Sequence, residues 1–235
     1  MPPKSALQKL FQAFPTESNV EDDPDNPAAL PNVSLNFLVE LAGSLDAKQV
    51  FEFGSGRSTG ALLRAGCSVT SLEDSDYWMQ QTVAQLTKPE QARHRALVRP
   101  LRLRFCGLIP VMDWVIDAEL STRLREADLI LVDSPYFTPF RESTLRSALQ
   151  HGENAVVVLD DVRIPTVRKF CDSLVAANPN LLHRRVAVGH TFDVFARLKG
   201  GRLHAAHMPV EILKGWRRFV LQKRLLGSGG SMPAA

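Results

Sequence analysis

The sequence predicts an α/β protein with a mostly parallel seven-stranded sheet, helices on both faces and a C-terminal antiparallel hairpin. Three observations lead there. From residue 49 to residue 177, β-rich runs alternate with segments of helical periodicity, the pattern of successive βαβ units with right-handed crossovers. The two longest apolar runs, Leu129–Val132 and Ala155–Leu159, are uninterrupted, as expected of central parallel strands covered on both faces. Val50–Gly60 reads as a buried strand, a glycine turn and the start of a helix.

The elements follow in order. Residues 4–14 fit a short amphipathic helix with Leu7, Leu10, Phe11 and Phe14 on one side. Residues 15–32, rich in Pro, Asp, Glu and Asn, read as a loop. A helix over Ser34–Ala42 leads into strand 49–53, followed by helix 58–65, strand 68–72, helix 75–87 and strand 94–98. Strand 128–133, helix 139–150, strand 154–160 and helix 165–177 come next, with Pro139 and Pro165 each suited to a first helical turn. Strands 183–188 and 191–198 are separated only by Gly189 and His190, too short for a crossover, so they form the closing hairpin. Residues 209–226 fit a helix with Val210, Leu213, Trp216, Phe219, Val220 and Leu225 partly on one face, and Gly227–Ala235 is a flexible tail. The domain limits are an N-terminal extension or lid (1–33), a cofactor-binding domain (34–198), a basic helical extension (199–226) and the tail (227–235).

Composition bounds the class. With 235 residues and 45% hydrophobic content, the chain can bury one sizeable core, and no apolar run is long enough to span a bilayer. The N-terminus lacks the apolar core of a signal peptide. Cys67, Cys106 and Cys171 are odd in number and lack metal spacing, so they read as reduced packing thiols of a cytoplasmic protein. The net charge of +3 is uneven, because residues 199–226 hold seven basic residues against Glu211 alone. This tail fits a solvated helix, a peripheral contact on an anionic membrane through Trp216 and Phe219, or an attraction to nucleic acid. Aromatic content of 7% does not favour nucleic acid. The pattern leaves open whether the chain forms a homo-oligomer.

In the turn, Gly54 and Gly56 allow a sharp bend and close approach of a ligand, with Ser55 and Ser58 beside them. A dinucleotide site would carry G-x-G-x-x-G, but the third position is Thr59 and Gly60 falls one residue late. Glu52, two residues before the first glycine, would repel a pyrophosphate and suits a ligand carrying ammonium and sulfonium charge. That points to S-adenosylmethionine; the plain alternative is a tight strand–helix turn without a ligand. Glu73 follows Gly54 by 19 residues at the tip of the second strand, where an acid binds a ribose diol. With Asp74 it joins the candidate cofactor site, and Asp76 suits the N-terminus of the next helix. The other reading makes all three acids helix-terminus residues.

Asp133 ends the strand before it, and Asp160 and Asp161 end the strand after. Three carboxylates at one sheet edge repel unless a cation or protonation offsets the charge. Hard oxygen ligands favour Mg²⁺ or Ca²⁺, making Asp133, Asp160 and Asp161 candidate metal ligands. Otherwise the acids cap helices or bind substrate hydroxyls.

Glu52-x-Gly54-x-Gly56, Glu73, Asp133 and Asp160-Asp161 together resemble a class I S-adenosylmethionine-dependent methyltransferase over about residues 34–198. The pattern is similar to the cation-dependent, catechol O-methyltransferase-like members, which carry an Asp after the fourth strand and Asp-Asn after the fifth. Asp133 and Asp160 match those aspartates, 27 residues apart, and Asp161 replaces the Asn. The family's catalytic lysine has no counterpart in Asp133-Ser134-Pro135-Tyr136-Phe137. More loosely, Asp128–Pro135 with Arg141 resembles sugar-acid O-methyltransferases, which makes Arg141 a candidate clamp for a substrate carboxylate; an exposed place in a helix first turn is the alternative. The resemblance implies in-line methyl transfer to a small-molecule or sugar hydroxyl, with Mg²⁺ or, without it, Asp133 or Asp160 taking the proton. His151, His190, His204 and His207 are further candidate bases that spacing does not distinguish. Residues 15–36, 104–118 and the loop after Asp133 are expected to build the acceptor pocket, with Tyr136 as a substrate-binding residue and Phe137 and Phe140 beside it. A catalytically inactive scaffold of the same fold and an NAD-dependent oxidoreductase are the competing functions.

Overall fold

The computed structural model describes residues 30–106, 109–134 and 138–198, together with Gln12 and Leu203. Helix α1 (Asn32–Ser44) leads into β1 (Gln49–Phe53), α2 (Arg57–Arg64), β2 (Ser68–Glu73), α3 (Asp76–Ala84), α4 (Lys88–Gln91) and β3 (His94–Val98). A ribbon of β4 (Arg102–Cys106) and β5 (Ile109–Asp113) follows, then α5 (Ala118–Glu126), β6 (Leu129–Val132), α6 (Thr138–His151), β7 (Val156–Leu159), α7 (Pro165–Ala177), β8 (Leu181–Val188) and β9 (His190–Arg197). The main sheet has the order β3–β2–β1–β6–β7–β9–β8. Its first five strands are parallel, while β9 pairs antiparallel with both β7 and β8, as the short Gly189 break requires. The expected fold class is therefore present.

Period-two alternation divides the core between the two faces. Val50, Leu129, Leu131, Val156 and Val158 pack with Leu38 and Leu41 of α1 and Leu62 and Leu63 of α2. Phe51, Phe53, Ile130, Val132, Val157 and Leu159 pack on the other face with Leu120 and Leu124 of α5, Leu145 of α6 and Phe170 and Leu174 of α7. The central strands β6 and β7 are buried at every position. Burying an aliphatic side chain contributes about 1.5–3 kcal/mol, so this double-sided layer fixes the sheet that carries the site.

Three local differences have physical reasons. The helix expected over 75–87 ends at Ala84, because Thr87 starts a new turn: its N–H and hydroxyl both donate to Glu90 Oε2, at 2.6 and 2.7 Å. The β4–β5 ribbon joins Arg102 to Asp113 and Cys106 to Ile109 in register. Its alternation of arginines with apolar residues does not read as a buried strand. Helix α5 was also unforeseen, although Asp117 caps it by accepting from Leu120 N–H at 2.9 Å and Leu120 and Leu124 form a buried i,i+4 pair. The expected segments 4–14 (Gln12 apart), 209–226 and 227–235 lie outside the described residues, as do Tyr136, Phe137, His204 and His207. Among the described residues, no helix is long and apolar enough to cross a membrane.

Candidate active site

The carboxyl ends of β1, β2, β6 and β7 and the start of β9 meet at one edge, where open α/β sheets bind ligands. Gly54 has φ +108° there, its N–H donates to Leu72 O at 2.8 Å, and a Cβ would come within 3.2 Å of Ser134 Cβ. A Cβ on Gly56, by contrast, would meet nothing within 4 Å, so the turn opens onto free space. Beneath it lies Glu52, 1% exposed. Its carboxylate accepts from Ser71 Oγ at 2.6 Å, Ser58 Oγ at 3.0 Å and Thr59 Oγ1. Thr59 Oγ1 in turn accepts from Gly56 N–H at 3.0 Å. Burial pushes the Glu52 carboxyl up to about 7 against the pull of these hydroxyls. Glu52 and Ser58, expected to touch the ligand, are thus placed under the turn, where they tie β1, β2 and α2 together.

Glu73 stands at the tip of β2 beside this turn. Its Oε1 accepts from the backbone N–H groups of Asp74 (3.0 Å) and Ser75 (3.3 Å), and its Oε2 accepts from Ser55 Oγ at 3.2 Å. Burial, and then the neighbouring Asp74, push it up to about 7. Asp74 itself is exposed. Ser75 caps α3, accepting from Trp78 N–H at 3.4 Å, and Asp76 sits in the first turn, at the helix N-terminus as expected.

The strand-tip acids form a second group. Arg141, 5% exposed in the first turn of α6, brings Nη2 within 3.3 Å of Asp133 Oδ1 and Nη1 within 2.8 Å of Asp161 Oδ2. His190, first residue of β9, places Nδ1 3.0 Å from Asp160 Oδ2 and 3.9 Å from Asp161 Oδ1. Asp160 is buried, whereas the Asp133 side chain remains 33% exposed to the edge. Burial and the adjacent Asp160 raise Asp133 well above the usual carboxylate range, despite Arg141. Burial would raise Asp160 too, but the bond and charge of His190, with Arg141, hold it below that range. His190 shows the converse: burial opposes its charge and Asp160 outweighs burial, so its proton affinity is raised. The pairing of Asp160 with His190 was not foreseen. The hairpin break immediately before His190 carried the signal, since an antiparallel β9 must start at the same edge.

A hard divalent ion does not fit this donor set as it stands. One donor atom each from Asp160, Asp161 and His190 lie within 4.8 Å of one another, a span an ion could bridge. Yet Asp133 and Asp161 already face one guanidinium, and Asp160 faces a ring nitrogen. The same contacts turn Arg141 inward, away from the expected role of an open clamp for a substrate carboxylate.

A strap from the N-terminal side fixes the edge. Arg57 Nη1 donates to Leu30 O at 2.8 Å and Nη2 to Asn32 Oδ1 at 2.6 Å. Ser34 Oγ donates to Val188 O at 2.5 Å and accepts from His190 N–H at 3.0 Å. Gly189, at φ +76°, could carry no side chain here, because its Cβ would lie 2.6 Å from Pro31 Cγ. Residues 30–34 therefore pin the glycine turn and the β8–β9 hairpin at once.

No protein-family model matches the sequence, and no curated protein matches it. Solved structures do resemble it. An SAH-bound methyltransferase from Podospora anserina superimposes with a TM-score of 0.54 at 15% identity, covering 84% of this chain and 89% of that one. A methyltransferase from Geobacter sulfurreducens gives 0.54 at 14% identity, covering 85% and 98%. An O-methyltransferase from Bacillus cereus in complex with SAH gives 0.51 at 18% identity, covering 84% and 93%. At these identities the likeness shows a shared fold: the chain has the Rossmann-like architecture of class I methyltransferases.

Proposed function

We propose that this protein is an S-adenosylmethionine-dependent methyltransferase that methylates a hydroxyl of a small-molecule or sugar acceptor. The observation that carries the reading is the Glu73 carboxylate at the β2 tip, 3.2 Å from Ser55 of a glycine turn that opens onto free space. The SAH held by structures of the same fold supports it. Bound here, S-adenosylmethionine supplies an electrophilic methyl on an excellent leaving group. Glu73 accepts hydrogen bonds from both ribose hydroxyls, and the Gly54–Gly56 turn lets the backbone approach the ligand. Glu52 acts from below by holding that turn in shape.

The pair Asp133 and Asp160 divides the proton chemistry. Neighbouring acids whose environments drive their proton affinities apart take different roles. Asp133, whose side chain is partly open to the edge, is the acid placed to take the acceptor's proton. Asp160 stays anionic against His190. Incubating the protein with tritiated S-adenosylmethionine and a panel of uronic acids, neutral sugars and phenols tests this. Label transfer to a hydroxyl, lost in Asp133→Asn while SAH still binds, is expected. SAH binding with no transfer to any acceptor would favour a scaffold role, and no binding would overturn the reading.

A further inference from the structure

The corner of three aspartates has a feature that the methyl-transfer reading does not require. Arg141 is nearly sealed from water, and a desolvated guanidinium must be paired. Its planar fork spans two different carboxylates: 3.3 Å to Asp133 at the end of β6 and 2.8 Å to Asp161 past the end of β7. His190 Nδ1 takes the third carboxylate, Asp160, at 3.0 Å. Asp161 is held at φ +62°, a conformation costly for a residue other than glycine. That backbone turn sets its carboxylate against Arg141.

We propose that the Arg141 guanidinium takes the place of a divalent cation at this corner, so that the protein holds its three strand-tip aspartates together without a metal ion. Two considerations support this. An ion at the usual bond length of about 2–2.6 Å from Asp161 Oδ2, which lies 2.8 Å from Nη1, would stand no more than about 5.4 Å from that nitrogen, where the two positive charges repel in a buried site. And the carboxylates that would attract the ion are already countered by fixed protein groups. Arg141 thereby keeps Asp133 and Asp161 side by side at the edge. Its further role, favouring negative charge on the acceptor oxygen beside Asp133, rests on the methyl-transfer reading. Its occupation of the corner does not.

The test uses Mn²⁺ alone, with no cofactor or acceptor, so its outcome is independent of that reading. Loss of the free Mn²⁺ electron paramagnetic resonance signal measures uptake by the full chain. The wild type and Arg141→Lys, which keeps a cation, are expected to take up none. Arg141→Met is expected to take up one ion per chain, to melt at a higher temperature with Mn²⁺ than without, and to lose both effects in Arg141→Met/Asp161→Asn. If Arg141→Met folds only with Mn²⁺ present, that also supports the proposal. Stoichiometric uptake by the wild type overturns it, as does an Arg141→Met protein that Mn²⁺ neither binds nor rescues.

Discussion

Glu142 provides a sharp test of the packing around α6. It is 0% exposed, and neither carboxylate oxygen has a hydrogen-bond partner among the described residues. Burial alone pushes it up to about 9 from an ordinary value of 4.5. It must then stay protonated in the folded protein at neutral pH, while the unfolded chain releases the proton. Because the folded state binds more protons than the unfolded state between these values, stability falls as pH rises through that window. The slope is about 1.4 kcal/mol per pH unit. From pH 5 to pH 8 the accumulated loss is roughly 4 kcal/mol, a large part of a typical domain's stability. Glu142→Gln keeps the shape and removes the ionisation. Glu52 and Glu73 are present in both proteins, so their own titrations cancel in the comparison. Urea unfolding of both proteins at half-unit steps should give curves that converge near pH 5 and diverge as pH rises, with the variant the more stable. Parallel curves across this range would refute the claim that Glu142 is buried, unpaired and protonated.

Other expectations follow from the same geometry. Ribose hydroxyls donate to ionised Glu73, so SAH affinity should weaken as pH falls through about 7, by roughly eightfold between pH 7.5 and pH 6, and this dependence should vanish in Glu73→Gln; calorimetry at several pH values reads it. Gly54→Ala forces a side chain onto a φ of +108° and against Ser134; chemical denaturation should show a loss of about 1–3 kcal/mol. Ser71→Ala removes a 2.6 Å donor from buried Glu52 and should cost about 1–3 kcal/mol by the same measurement, weakening SAH binding through the turn rather than through a lost contact.

The sheet was legible because its central strands are buried on both faces, which leaves the unbroken runs at Leu129–Val132 and Val156–Leu159. The glycine turn and Glu73 were legible because they are local: strand, turn, helix and an acid at the next strand's tip. The corner was only half legible. Its aspartates end recognisable strands, but their partners Arg141 and His190 come from α6 and β9, and no short-range pattern reports that a guanidinium will fold back between two carboxylates. Glu52 was misplaced for a related reason. Its charge suggested a ligand, while its actual partners, Ser71 and Thr59, are supplied by a neighbouring strand and the next helix. The β4–β5 ribbon was missed because its charged alternation suits a strand pair outside the main sheet, where no buried run develops.

The most direct measurement is isothermal titration of the wild type and Glu73→Ala with SAH at pH 7.5. Micromolar binding at one site per chain, weakened at least about tenfold in Glu73→Ala by loss of two charge-assisted hydrogen bonds, is the expected result. Absence of binding by the wild type, or equal affinity in the two proteins, would contradict a cofactor site built on the Gly54–Gly56 turn and Glu73.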